Sequence, residues 1–289
     1  MKFASQSLID GETLIMGLIG EKIGYSVSPL MHNRAAKLLG KNIAYLPFPM
    51  GSSYLAPFLE ITWHLGAFGF NVTQPHKAAV AALVDNSRRQ SINTLYRGPN
   101  GWAGVSTDGQ GFDRAVQRLG KSIGAFEQVV FLGAGGAVLS ILEHFAAMAK
   151  EGGKIPPKVA VLRRSNTWDQ ALTDAIAGTA KLAIFDFLPS NLSSHLVGHG
   201  EDTLLVQATS APLHGDYLSD YLVALDSFQG CLVDLVYGRP SDLYFRALAK
   251  GLLVQDGEPM LIEQARLSQE IWWGRSASYQ DMADAIRRK

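Results

Sequence analysis

VVFLGAGGAVLSIL, residues 129–142, is the stretch on which the reading of the fold turns. QVVFLG (128–133) is a short apolar run of strand type, and GAVLSILEHFAAMAK behind it is apolar nearly all round over a helical length. Gly133, Gly135 and Gly136 crowd the junction. Strand, tight glycine turn and helix in that order let a backbone approach a ligand closely and aim a helix N-terminus at it, as a dinucleotide pyrophosphate requires. Position 138 is valine, so the third glycine of GxGxxG is missing, and a tight βα turn without a ligand has the same outline. Gly133, Ala134, Gly135, Gly136 and Ala137 form the candidate cradle.

The following strand indicates which dinucleotide. Sites for the ribose 2′-hydroxyl carry an acid at the end of that strand, and sites for a 2′-phosphate carry arginine. KVAVL (158–162) ends in Arg163, Arg164 and Ser165, with no acid before Asp169. Two guanidinium groups and a hydroxyl suit a phosphate dianion better than they suit the alternative, a solvated arginine pair at a strand end. NADP is therefore expected ahead of NAD.

Outward from this core the pattern repeats. LAIFDF (182–187), TLLVQAT (203–209), CLVDLVY (231–237) and GLLVQ (251–255) are further strand-like runs with helices between several of them, the mark of a doubly wound sheet. Upstream, TLIMGLIG (13–20), IAYLPFPM (43–50) and AFGFNVT (67–73) alternate with helical segments, among them PLMHNRAAKLLG and KAAVAALV. That alternation predicts a separate α/β layer with mostly parallel strands. The two layers join near residue 108. EPMLIEQARLSQEIWWG and SYQDMADAIRRK read as two closing helices.

Composition narrows the partner. The chain has 289 residues, enough for two domains; 47% are hydrophobic and 18% charged, which fits a compact globule. Lys+Arg and Asp+Glu are both 26, so no net field points to nucleic acid or an anionic membrane, and a small molecule is the expected partner. Cys231, the only cysteine, lies in an apolar run and reads as a buried thiol. The seven histidines show no metal-binding spacing, so no metal is expected. No signal-peptide core or membrane span is read, and the cytoplasm is the expected compartment.

Five polar positions in the first layer stand out. Ser26 and Ser28 are two apart after the GLIG strand, so on an extended segment both hydroxyls share a face. Ser28 before Pro29 also fits a helix N-cap; capping does not explain Ser26. In NVTQPHK (71–77), Pro75 suits a helix opening, yet Lys77 places a cation against the helix dipole. Asn93 in SINTLYR and Asp108 in VSTDGQG each have ordinary explanations, a satisfied turn and an N-cap.

Together, SVSP (26–29), NVTQPHK, INTL (92–95), STDGQG (106–111), GAGGA (133–137), the Arg-Arg-Ser strand end, DLVY (234–237) and EQA (263–265) resemble the shikimate dehydrogenase family. The order matches from about residue 17 to 274. The resemblance implies an α/β fold with a substrate-binding domain over residues 1–108, an NADP-binding Rossmann domain over 109–257, and C-terminal helices from 258–289 returning to the first. It implies that Lys77 and Asp108 are the catalytic pair, and that Ser26 and Ser28 bind the substrate carboxylate. Thr73, Asn93, Tyr237 and Gln264 would hold the rest of the substrate. Gly133 to Ala137 would hold the pyrophosphate, Arg163, Arg164 and Ser165 the adenosine phosphate, and Leu235 and Gly257 would line the nicotinamide. The implied reaction is reversible, NADP-dependent reduction of 3-dehydroshikimate by a monomer or homodimer. Quinate or a related ring carboxylate is the alternative substrate, and a non-catalytic NADP(H) sensor is the reading from another class. The chain departs from the family pattern at Ser106, at Gln207 where asparagine is usual, and at Glu258-Pro259-Met260 in place of a glycine-rich turn.

Overall fold

The computed structural model describes residues 9–84, 91–196 and 200–287. The chain divides into two compact units, Met1–Thr107 with Gln264–Lys289, and Asp108–Glu263. The seams anticipated from sequence lay at 108/109 and 257/258.

The first unit opens with β1 (Leu14–Gly20), α1 (Ser28–Leu38), β2 (Ile43–Pro49), α2 (Leu55–His64), β3 (Gly69–Val72) and α3 (Lys77–Ala81). Then come β4 (Thr94–Arg97) and β5 (Trp102–Val105). The sheet order is β2-β1-β3-β4-β5, with β1 parallel to both neighbours. β4 runs antiparallel to β3 and β5, so the layer is mixed rather than mostly parallel. The two added strands have four residues each and flank Pro99-Asn100-Gly101, where the Gly98 N–H donates to the Gly101 carbonyl. Such short runs carry too few alternating positions to register as strands. Helix α3 ends at Ala81, short of the full KAAVAALV segment.

The sheet is covered on both faces. Phe70, Val72, Leu95, Trp102, Leu55 and Leu59 pack on one side, and Met16, Leu18, Tyr45 and Trp272 on the other.

The second unit contains α4 (Asp108–Arg118), β6 (Gln128–Leu132), α5 (Gly136–Lys150), β7 (Lys158–Arg163), α6 (Asp169–Ile176), β8 (Lys181–Asp186) and α7 (Pro189–Leu196). It continues with β9 (Thr203–Gln207), β10 (Cys231–Asp234), α8 (Asp242–Ala249) and β11 (Val254–Gln255). All six strands are parallel, in the order β11-β10-β9-β6-β7-β8. Numbered within the unit and read from the other edge, this is 3-2-1-4-5-6, the Rossmann order. Buried β6 and β9 are apolar almost throughout, as parallel strands sandwiched between two helical layers must be. CLVDLVY is strand only as far as Asp234. Beyond it, the Asp234 carboxylate accepts the N–H groups of Val236 and Ser241 and turns the chain out of the ladder.

Helix α9 (Glu258–Trp273) carries the chain from the second unit back into the first, and α10 (Tyr279–Arg287) closes it. In the first unit the Trp272 indole N–H donates to the Leu95 carbonyl at 2.8 Å. Gly69 makes room for it, since a Cβ there would lie 2.4 Å from that indole nitrogen. Among the described residues no helix is long and apolar enough to cross a membrane.

Candidate active site

In open α/β sheets, ligands bind beyond the carboxyl ends of strands where the winding reverses. In the first unit that point lies between β1 and β3. The segments leaving these two strands carry Ser26 and Ser28, and Thr73 and Lys77 respectively. Ser28 is the first residue of α1, so Val27 rather than Ser28 occupies the N-cap position, and no side chain caps the helix there. Instead, the Ser26 hydroxyl oxygen accepts the Ser28 N–H at 3.2 Å, and the two hydroxyls lie 3.2 Å apart. The pair expected to share a face does so, and Ser26 rather than Ser28 makes the local backbone bond. Thr73 lies beside Gly20, where a Cβ would come within 2.6 Å of its methyl group.

Lys77 is half-buried and opens α3, only five residues long, so the opposing dipole is much weaker than a full helix would give. What holds its backbone is the residue before it. His76 is fully buried, with Nε2 2.7 Å from the Met50 carbonyl and Nδ1 3.3 Å from the Ser52 hydroxyl. The Nε2–H tautomer satisfies both. This anchor lies inside NVTQPHK, but nothing in the local sequence marks it as one. The Lys77 carbonyl in turn accepts the Ile92 N–H, which ties the lysine to the segment bearing Asn93.

Asn93 is buried and joins three segments. Its amide donates to the Thr107 hydroxyl at 3.0 Å and to Gln264 Oε1 at 3.1 Å, and its oxygen accepts the Thr107 N–H at 2.9 Å. The Thr107 hydroxyl also donates to the Gln264 carbonyl. Two of the expected residues, Asn93 and Gln264, are therefore bonded directly and also share Thr107, for which the sequence indicates no role. Lys77 belongs to this unit, whereas Asp108 opens the other as the buried first residue of α4.

In the second unit the winding reverses between β6 and β9, and the glycine turn leaves β6 there. Gly133 adopts φ +117°, and a Cβ would meet the Thr209 nitrogen at 3.0 Å. Glycine is obligatory at this position because the turn after β9 crowds it. Gly135, the N-cap of α5, differs: its backbone is extended, and nothing lies within 4 Å of where its Cβ would stand. No protein contact explains that glycine, and space at the N-terminus of a 15-residue helix fits a pyrophosphate. Ala137 follows in the first turn of that helix. Val138, in the place of the third glycine, is a buried core residue.

Leu235, Tyr237 and Gly257 come together. A Cβ on Gly257 would lie 2.4 Å from the Leu235 carbonyl oxygen and 2.8 Å from the Tyr237 nitrogen. Buried Asp234 shapes this turn through Val236, Ser241 and Gln207, whose Nε2 donates to it at 3.2 Å. Burial pushes the Asp234 carboxyl up, and the Ser241 bonds oppose that. Gln207 also accepts the Thr209 N–H and hydroxyl, so it links the turns after β9 and β10.

Ser165 does not stand free at the end of β7. Its hydroxyl accepts the Thr167 N–H and pairs with the Thr167 hydroxyl. Arg163 is bound by Asp169 and Asp186, and Arg164 by Asp216.

Residues 18–94 match the model of the shikimate dehydrogenase substrate binding domain. Shikimate dehydrogenase (NADP(+)) of Microcystis aeruginosa is 30% identical over 98% of this chain and 99% of its own length. The enzyme of the same name from Synechococcus sp. strain JA-2-3B'a(2-13) is 32% identical over 92% of both. The chain belongs to the shikimate dehydrogenase family. The crystal structure of Thermus thermophilus shikimate 5-dehydrogenase in complex with NADP(H) and shikimate is 28% identical. It superposes with a TM-score of 0.77 over 96% of this family member and 99% of that chain. The likeness thus extends over both units of this shikimate dehydrogenase homologue, well beyond the matched residues 18–94.

Proposed function

We propose that the chain is an NADP-dependent shikimate dehydrogenase that interconverts 3-dehydroshikimate and shikimate, in the cytoplasm, as a monomer or homodimer. The observation that carries this reading is full-length likeness to enzymes of that name, with polar residues of the right kinds at the strand ends of the first unit. Ser26 and Ser28 donate hydroxyl hydrogen bonds to the substrate carboxylate. Thr73, Asn93, Gln264 and Tyr237 hold the ring and its hydroxyls, and the Asn93–Thr107–Gln264 bonds keep two of these side chains oriented before substrate arrives.

The backbone from Gly133 to Ala137 holds the pyrophosphate, Arg164 and Ser165 hold the adenosine phosphate, and Leu235 and Gly257 line the nicotinamide. NADP held there would supply the hydride acceptor, and NADPH the hydride donor in the reverse direction. The chain's own chemistry concerns the proton. Lys77, with Asp108, takes the proton from the ring hydroxyl as the ketone forms and returns it in the other direction. In reduction, negative charge grows on the ketone oxygen, and an ammonium group beside it stabilises that charge before donating the proton.

Initial rates with shikimate and quinate, each with NADP and NAD, test the assignment. The highest kcat/KM is expected for shikimate with NADP. A higher value for quinate would replace the substrate, and absence of turnover with every pair would leave an NADP(H)-binding protein without this activity.

A further inference from the structure

At the end of β7, the two guanidinium groups expected to receive a phosphate are already engaged by carboxylates. Arg163 donates from Nε and Nη2 to Asp169 at 3.0–3.1 Å, and from Nη1 to Asp186. Its side chain is 21% exposed, and with Asp169 on α6 and Asp186 on β8 it clamps three elements together. Arg164 is arranged differently. Its guanidinium carbon lies 4.6 Å over the Phe187 ring, and Nη2 donates to Asp216 Oδ2 at 3.0 Å. Both partners in this pair are more than half exposed.

Two cations therefore face three anions where a 2′-phosphate dianion would need surplus positive charge. The Arg163 clamp is built into the sheet edge. The exposed pair is the weaker one and can be exchanged.

Resting on the NADP reading above, we propose that Asp216 sets coenzyme selectivity. Its carboxylate occupies the place on Arg164 that the 2′-phosphate takes, so it competes with NADP and leaves NAD untouched. Arg163 is a positioning residue that fixes the strand end from which Arg164 projects. Asp216 is well held for this competition. Its Oδ1 accepts the Leu218 N–H at 3.1 Å, and its backbone N–H donates to the Ala211 carbonyl. The Leu218 bond first, and Arg164 second, hold the Asp216 carboxyl below its ordinary range, so it is ionised wherever NADP carries its full charge. When the phosphate arrives, Arg164 exchanges one anion for another with a second negative charge alongside. Like charges sharing one cation reduce the gain from the 2′-phosphate.

Asp216→Asn removes the charge and keeps an oxygen for the Leu218 N–H. Calorimetric titration of the full-length protein with 2′,5′-ADP and with 5′-AMP, which differ only in the 2′-phosphate, isolates that group. The variant is expected to bind 2′,5′-ADP about tenfold more tightly at 50 mM salt, with the gain shrinking at 0.5 M salt, where the Debye length falls to a few ångströms. Affinity for 5′-AMP is expected to stay within about twofold. In an Arg164→Ala background the same substitution should gain less than about twofold, because the shared cation is gone. Unchanged or weaker 2′,5′-ADP binding, or an equal gain for 5′-AMP, would overturn the inference while turnover of shikimate with NADP left the function intact. If wild-type protein turned over shikimate with neither coenzyme, the functional reading would fall first and this inference with it.

Discussion

At the scale of single residues, Lys77 separates catalysis from structure. Lys77→Met keeps a long unbranched stem and removes the proton and the charge. We expect kcat to fall by about 10²–10⁴, with NADP affinity nearly unchanged, because the glycine turn lies on the other unit. A variant keeping more than about a tenth of wild-type kcat, with hydride transfer shown to limit the rate by deuterated coenzyme, would remove Lys77 from the chemistry. Ser26→Ala is expected to act on KM instead, since a carboxylate is bound alike in ground and transition states. Loss of a hydrogen bond to a charged group, about 1.5–3 kcal/mol, corresponds to a ten- to hundredfold drop in kcat/KM. Steady-state kinetics over a range of shikimate concentrations checks this, and an unchanged KM would take Ser26 out of the site. The features that single these two residues out, a cation opening a helix and a serine two residues from another, are written locally, although in the structure the Ser26 hydroxyl also accepts the Ser28 N–H. Arg163 was not legible in this way. Its partners Asp169 and Asp186 lie 6 and 23 residues on, and which of them folds back onto the arginine is decided by β7–β8 pairing.

At the scale of elements, the glycine turn holds two glycines with different reasons to be glycine. A methyl group on Gly133 would press on the turn at Thr209 from a backbone at φ +117°, so Gly133→Ala is expected to cost about 1–3 kcal/mol of stability. Gly135→Ala meets no protein atom and an ordinary backbone. Its melting temperature is expected to stay within about 2 °C of wild type, while NADP affinity falls at least tenfold. Thermal melts and coenzyme titrations of the two variants give opposite patterns if Gly135 faces the pyrophosphate, and a Gly135→Ala protein that binds NADP normally would contradict that. The strand–glycine–helix reading of residues 128–150 was complete because a long apolar helix and a strand of five buried residues leave few alternatives. The β4–β5 hairpin had no such redundancy. DLVY misled for another reason: its apolar residues continue past Asp234, but a buried carboxylate with backbone N–H donors in reach overrides local strand preference.

At the scale of the whole molecule, acid should be a weak point through His32. The ring is buried, stacked on Tyr45 at 4.4 Å, and its Nδ1 accepts the Gln269 amide. Burial lowers its pKa to about 3 from the ordinary 6.5. Between those values the unfolded chain takes up a proton that the folded chain refuses. The stability owed to neutral His32 is therefore complete above about pH 6.5 and is lost on acidification towards pH 3, by about 1.4 kcal/mol per pH unit. Urea midpoints measured from pH 7 to 4 should show this slope, and His32→Phe, which keeps the stacked ring, should flatten it; equal slopes in both proteins would exclude His32 as the cause. A further consequence follows from α9, whose residues from Gln264 onward complete the first unit. A ribosome must translate all of residues 108–263 before Trp272 exists to settle over Gly69 and bond to Leu95. At about 5–20 residues per second, the earlier sheet spends roughly 8–30 s on each nascent chain with that face bare. The first unit to be made is thus the last to be finished, and its folding is timed by the synthesis of the other.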